Sequence, residues 1–459
     1  MDMVELNIAK LAEIASQASD QPLDQHSEGN AQFKMSDFLM SAFSIFFMQS
    51  ESWLSYQRRI KNNNGTSNSQ TLFKIKNIPT DKQIGTILDK INPEFFATFF
   101  NYAFDDILSR NILDQFTVLD NRKLISIDST EFFNSKTTHC ENCSHKYHKK
   151  SDSFEYFHTL VGLTICSPNT TEIIPLMPTF PSNSQTKANK TQSHETIKQN
   201  REYEAALRLV NNLDKKILQL DPIFLGEAML ATVSFIRLVQ RNSNTNFILT
   251  CKPGSNKSLF EFIDNNNLEE LSITNKIAPN KLEKITYKWL NNIPLTDSQD
   301  CVTVNFMSAE VVKLTNNSKI KSHKPPDNSI KTNNHSFITD IEITKDNIQT
   351  LIKLGLTNWR KKSSFNSLKT RGYNFEHNFG HGKSNLTNVL ATLLIIAFLI
   401  HTLGRLGDTV YSKAFSYFQN FSWFINDTAS LSKYLDFKSL TCLYDFIIEK
   451  SEQNKSKKS

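Results

Sequence analysis

The sequence predicts an α/β protein with a mixed sheet flanked by helices, preceded by an all-helical domain. Three observations carry this. Up to about residue 115, apolar residues recur at helical spacing. Three strand-like runs follow in succession, at 124–131, 154–166 and 171–176, joined by polar loops. Helix and strand then alternate at 202–218, 222–225, 235–240 and 246–251. Strand–helix–strand order after a three-strand meander is the pattern of a mixed sheet covered by helices.

The 459 residues are enough for two or three domains with sizeable cores. A hydrophobic share of 39% and a charged share of 21% describe a folding chain rather than a disordered one. The net charge of +6 is small for this length; it is compatible with nucleic-acid binding without requiring it. Of the cysteines, Cys140, Cys143, Cys166, Cys251, Cys301 and Cys442, only the first two are close together. That spacing excludes a disulfide framework and points to a reducing cytoplasm. The first residues are acidic and amphipathic, with no basic segment leading into an apolar one, so no secretory signal is expected.

Residues 4–16 read as an amphipathic helix, followed by a polar, acidic linker to about 32. Residues 35–59 carry helical spacing with Ser36 or Asp37 as N-cap. The run KNNNGTSNSQ from Lys61 reads as a loop. Helices resume at 80–91 and 93–113, where Pro93 sits in a tolerated first turn. This helical domain, 1–116, is rich in phenylalanine and basic in patches; it suits either DNA binding or covering the next domain. The α/β domain runs over 117–404, with a β-rich insertion at about 270–336. Within it, 182–199 is polar and exposed, and 316–336, rich in asparagine and lysine around Pro325-Pro326, reads as a loop. A strand is expected at 337–343 and a helix at 345–355, opened by Thr344. Residues 386–403 approach the length of a membrane span, but Thr387, Asn388, Thr392, His401 and Thr402 interrupt them and no second such run exists. A buried core helix is the reading, and no membrane partner is expected. The last segment, 405–459, is helical and ends in a disordered, lysine-bearing tail, EKSEQNKSKKS.

Two clusters carry chemistry. Leu124, Ile125 and Ile127 lead into Asp128, and a carboxylate at the end of an apolar strand is costly unless a metal, a base or polar groups meet it. This reads as a metal-binding acid of a nucleic-acid enzyme. Close behind come Cys140-x-x-Cys143, His145 and His148. A Cys-x-x-Cys turn presents two thiolates to one Zn²⁺ at about 2.3 Å each. The expected structural knuckle uses Cys140, Cys143, His148 and His158, since His158 opens the next strand; an exposed basic loop with incidental thiols is the alternative. His377 and His381 read as structural histidines, and Asp340 as a cap or a partner of the basic segment near 360. The sequence Lys252-Pro253-Gly254-Ser255 lacks Walker spacing, which excludes a nucleotide loop.

Five stretches carry a family resemblance: LISIDSTEFFNSKTTHCENCSHKYHK, YFHTLVGLTI, FILTCKPGSNKSLFEF, FITDIEITKDNIQTLIKLGLTNWR and RGYNFEHNFGHGKSNLTNVLATLL. From about Met35 to His401 the chain resembles bacterial insertion-sequence transposases of the DDE class, whose catalytic domain has the ribonuclease H-like fold. The run from Glu376 to Gly382 is the most specific piece. The resemblance implies DNA transposition by cleavage and strand transfer, three acids with two Mg²⁺ or Mn²⁺ ions, and double-stranded DNA, at element ends and target, as partner. It also implies a bacterial, nucleoid-associated location and a homodimer. Its first acid falls on Asp128. Its second falls on Glu227, where the family has aspartate. Its third falls on Lys362, with Ser364 at the next position, and a lysine there opposes a cation. The expectation is therefore a transposase-like chain of impaired activity, the alternative being an inactive DNA-binding remnant. Arg360, Lys361, Lys369, Arg371 and Lys383 are the expected DNA-backbone contacts.

Overall fold

The computed structural model describes residues 2–17, 33–61, 63–140, 142–181, 194–278, 281–315, 331–370 and 372–456. Its helical first part comprises α1 (Met3–Gln17), α2 (Met35–Phe47), α3 (Trp53–Ile60), α4 (Asn63–Phe73), α5 (Asp81–Leu88) and α6 (Ala97–Ser109). The single helix expected over 35–59 is two, because Gln49 adopts a left-handed φ of 46° between them. Asp37 acts at the third position of α2 rather than as its cap: one oxygen accepts from Lys34 N at 3.0 Å, the other from Lys76 N at 2.8 Å. The asparagine-rich run expected as a loop is α4. Its polar side chains find fixed partners: Asn68 donates to the carbonyls of Ser432 and Leu435 at 2.6 and 2.7 Å and accepts from Phe437 N at 2.9 Å. Tertiary hydrogen bonds override the turn preference of the local sequence here.

A ten-stranded mixed sheet forms the second part. Its strands are β1 (Leu124–Ser135), β2 (Ser144–His148), β3 (Ser153–Cys166), β4 (Ile174–Pro175), β5 (Ile223–Gly226), β6 (Asn246–Thr250), β7 (Glu269–Ala278), β8 (Lys281–Pro294), β9 (Thr303–Thr315) and β10 (Lys331–Thr339). The order is β2-β3-β1-β5-β6-β10-β9-β8-β7, with β4 also on β3. β3 is antiparallel to β1, whereas β1, β5 and β6 run parallel. An antiparallel strand beside three parallel ones, with helices between the latter, is the ribonuclease H-like arrangement. The antiparallel β7–β10 ribbon enters after β6, and β10 returns alongside it.

Between these strands lie α7 (His194–Asn211), α8 (Lys215–Leu218), α9 (Val233–Gln240) and α10 (Lys257–Asp264); after β10 come α11 (Ile348–Thr370), α12 (Leu386–Gly407), α13 (Thr409–Phe415), α14 (Phe421–Tyr434) and α15 (Leu440–Ser456). α7 takes up part of the run read as an exposed loop, and β10 begins inside the run read as a loop before residue 337. The rest of both runs, at 182–193 and 316–330, and the linker at 18–32 lie outside the described residues. α11 is longer than the expected 345–355 and carries the basic segment on its last turns. α12 is long and apolar enough to cross a membrane, yet it is enclosed by α1, α2 and α13. Its fully buried His401 finds partners inside: it contacts Tyr411 OH at 2.8 Å and the Phe47 carbonyl at 2.9 Å. The tail expected to be disordered continues α15 to Ser456. Glu452 holds it down through Lys413 and Tyr417, each at 3.0 Å.

Candidate active site and a cysteine–histidine cluster

β1 and β5 pair in the register Leu124↔Ile223, Ile125↔Phe224, Ser126↔Leu225. The pairing ends there, and Asp128 and Glu227 each lie two residues beyond the last paired residues, Ser126 and Leu225. Registered residues of parallel strands project to the same face. That face is the one covered by α11, because Ser126 Oγ donates to Asn358 Oδ1 at 2.6 Å. Gly226 leaves room for Leu230 and Leu249 to pack on the strand end: a Cβ on it would meet them at 2.7 Å and 3.0 Å. Glu227 thus stands at a strand end, just before the short 3₁₀ turn Ala228–Leu230.

Both acids line one open cleft of about 680 Å³, together with Ser129, Lys198, Glu202, Thr232, Lys252 and Ser255. Lys252 and Ser255 come from the loop after β6, so the Lys-Pro-Gly-Ser run, rejected as a nucleotide loop, supplies a cation to the acid site. The third carboxylate in the cleft is Glu202 of α7, which sequence reasoning did not single out. Its Oε2 accepts from Ser129 Oγ at 3.0 Å, and its Oε1 lies 3.7 Å from Lys198 Nζ. Burial pushes its pKa up, only partly offset by Lys198 and Ser129. Lys198 also pairs with Glu131, and its two carboxylate neighbours outweigh burial to hold it above the usual lysine range. By strand alternation Ser129 and Glu131 face α7 and Asp128 faces α11, so Glu202 reaches the cleft from the opposite layer. A signal for it existed: Glu202, Ala205, Ala206 and Val210 form one buried stripe, and an acid on such a stripe is out of place.

The position matched to the third acid, Lys362, lies on α11 four residues beyond Asn358. The side chains of Lys362, Arg360, Lys361 and Arg371 lie outside the described residues. Of the other expected DNA contacts, Lys369 is paired with Glu376 at 2.7 Å, and Lys383 is exposed. Asp340, expected as a cap or a partner of this segment, sits at the end of β10. It accepts from Phe247 N at 3.1 Å, at the start of β6, and burial raises its pKa.

The second cluster lies at the connection between β1 and β2, both of which pair with β3. Cys140, Cys143, His158 and His381 place one ligand atom each within 4.8 Å of one another. His148, expected in this group, instead contacts Glu155 at 2.7 Å on the neighbouring strand. His148 lies at the end of β2 remote from the thiols, opposite Ser153 of β3, and His381, from the loop before α12, stands in its stead. His377 stays outside, exposed and edge-on to Phe379. Burial pushes the Cys143 thiol up to about 12 and, with His381 adding to it, pulls His158 down to about 4. Both groups are therefore neutral near pH 7 unless a cation draws off the thiol proton.

No protein-family model matches the chain, and no curated protein matches it. Among solved structures, the chain is similar to piggyBac transposase in a synaptic complex with hairpin DNA, at a TM-score of 0.37 and 10% sequence identity, over 98% of this chain and 79% of that one. Likeness at that level fixes no activity.

Proposed function

We infer that the chain is a transposase-like protein that binds double-stranded DNA at the ends of a bacterial insertion element, with metal-dependent phosphodiester cleavage and strand transfer reduced by its altered acids. The observation that carries this reading is the convergence of Asp128 and Glu227 from adjacent parallel strands onto one open cleft that also presents Lys198 and Lys252. Carboxylate oxygens at a strand edge are the donors that Mg²⁺ or Mn²⁺ takes, so the residues present fit a hard cation held by Asp128 and Glu227. When bound, such ions stabilise charge on the phosphate and activate the attacking oxygen. Lys252 and Lys198 are placed to attract the DNA backbone toward the acids. The sequence resemblance supplies the substrate class, and Lys362 in place of an acid supports the loss of activity. A homodimer and a nucleoid location belong to the same proposal.

The test uses the full-length chain and duplex DNA carrying the inverted ends that flank its gene. Binding that weakens with salt, with slow nicking in Mn²⁺ that Asp128→Ala abolishes, is the expected result. Binding without any nicking establishes the inactive remnant instead. Absence of specific binding overturns the DNA reading, and turnover as fast as that of intact-triad transposases overturns the impairment.

A further inference from the structure

The cysteine–histidine cluster lies outside the acid cleft and has no part in the chemistry proposed for it. Its distances form a coordination polyhedron. Zinc bonds of about 2.3 Å to sulfur and about 2.0 Å to nitrogen give tetrahedral edges of about 3.8 Å between sulfurs and about 3.5 Å from sulfur to nitrogen. Here Cys140 Sγ is 3.9 Å from Cys143 Sγ and 3.6 Å from His158 Nε2, and Cys143 Sγ is 3.2 Å from His381 Nε2. The sulfurs are too far apart for a disulfide, whose bond is about 2.05 Å.

We propose that Cys140, Cys143, His158 and His381 bind one structural Zn²⁺ ion, which clamps the β1–β2 connection and β3 to the loop that opens α12. The groups around the ligands are arranged for this. His381 Nδ1 lies 2.9 Å from its neighbour's carbonyl, Gly382 O, the contact that fixes a ring with its Nε2 free to ligate. Asn388 interacts with His158, and its buried Oδ1 makes no other hydrogen bond among the described residues. Cys140 N donates to Cys143 Sγ at 3.4 Å, and Cys143 N donates to Cys140 O at 3.1 Å to close the turn that carries both thiols. β1 carries a bulge between Phe132 and Asn134, with Phe133 at a φ of 51°. The bulge turns the Phe133 ring onto His381, 4.5 Å between ring centroids, which screens one side of the site from water. Four protein ligands leave no open position, which makes the site structural rather than catalytic.

The ion joins parts of the chain far apart in sequence: Cys143 and His381 are 238 residues apart. It also accounts for the last histidine of the Glu376–Gly382 run, which the acid site does not use. The proposal does not depend on the DNA reading, and its test does not use activity. Untagged full-length protein, expressed with added zinc, is assayed for metal content. One zinc per chain is expected, and Cys140→Ser and His381→Ala each lose more than about tenfold of it, as removal of a direct ligand requires when even supporting residues cost that much. His148→Ala retains the full equivalent. Cobalt substitution of the wild-type protein gives a tetrahedral spectrum with a thiolate charge-transfer band, which decides the matter even where the ligand variants fail to fold. Wild-type protein without zinc and without that spectrum overturns the proposal. So does His381→Ala with zinc undiminished, or His148→Ala stripped of it.

Discussion

Asp89→Ala removes an anchor that reaches across the whole sequence. Asn385, at the N-cap of α12, makes no side-chain capping bond of its own. The cap comes instead from Asp89, just past the end of α5. Its two oxygens accept from the amides of Lys383, Ser384, Asn385 and Leu386 at 2.8, 3.0, 2.9 and 2.9 Å. Gly382 makes room for it: its φ is +68°, and a Cβ there would lie 2.2 Å from Asp89 Oδ1. Losing a helix cap costs about 1–2 kcal/mol, and losing the charge at the helix N-terminus about 0.5–1 kcal/mol more. The loop amides can turn to water because Asp89 is only half-buried, so they add about 0.5 kcal/mol each at most. The expected total is about 3 kcal/mol in urea unfolding, with Asp89→Asn losing about half because one acceptor oxygen remains. Burial alone would raise the Asp89 pKa, but the four amides outweigh it and hold it below the ordinary value of 3.8. A depressed carboxylate stabilises fully above its unfolded pKa and loses that contribution as pH falls through the folded one. The gap between wild type and Asp89→Ala therefore closes in strong acid. Hydrogen exchange gives the local readout: the amides of residues 383–386 lose protection selectively in the variant. Unchanged exchange at those four amides, with unfolding energies within about 0.5 kcal/mol of wild type, refutes the reasoning.

Arg405 donates two bonds to Glu172, at 2.9 and 2.7 Å, beneath Phe421, and Glu172 outweighs burial to hold the guanidinium above its usual range. Glu172→Ala leaves that cation buried without its partner and is expected to cost about 3 kcal/mol, while adding Arg405→Met recovers a large part; equal, additive losses in a double-mutant cycle would contradict this. Glu202 has a raised folded pKa, so its contribution to stability falls as pH rises from the ordinary glutamate value of 4.5 through the folded value. Glu202→Gln is accordingly expected to raise Tm relative to wild type at pH 8 and to lose that advantage below pH 4.5, and a Tm difference that ignores pH would count against it.

What the sequence made legible depends on how far apart the cooperating residues lie. Asp128 was singled out by one local signal, an apolar run leading into an acid; β1 itself continues along β3 to Ser135, and Asp128 lies just past the last residue paired with β5. Cys140 and Cys143 were readable for the same reason, since a four-residue turn sets both thiols. His148 was the natural third ligand by nearness in sequence. Yet a β2 residue that pairs with β3 has its direction set by the sheet, and that direction is toward Glu155. His381 takes the place because Asp89 and Gly382 bend a distant loop onto the β1–β2 connection, and neither residue advertises this in its own neighbourhood. The α4 segment failed the same way: asparagines and serines look like a turn until Asn68 is given the carbonyls of Ser432 and Leu435. Glu202 belongs to a different kind of miss. Its signal was local, an acid on a buried helical stripe, and the rule that singled out Asp128 applies to it unchanged: a carboxylate in an apolar setting needs a partner. Applied to helices as strictly as to strand ends, that rule places a third acid in the cleft without reference to any family. It also shows why the family pattern pointed elsewhere, to the layer of α11, where this chain carries a lysine.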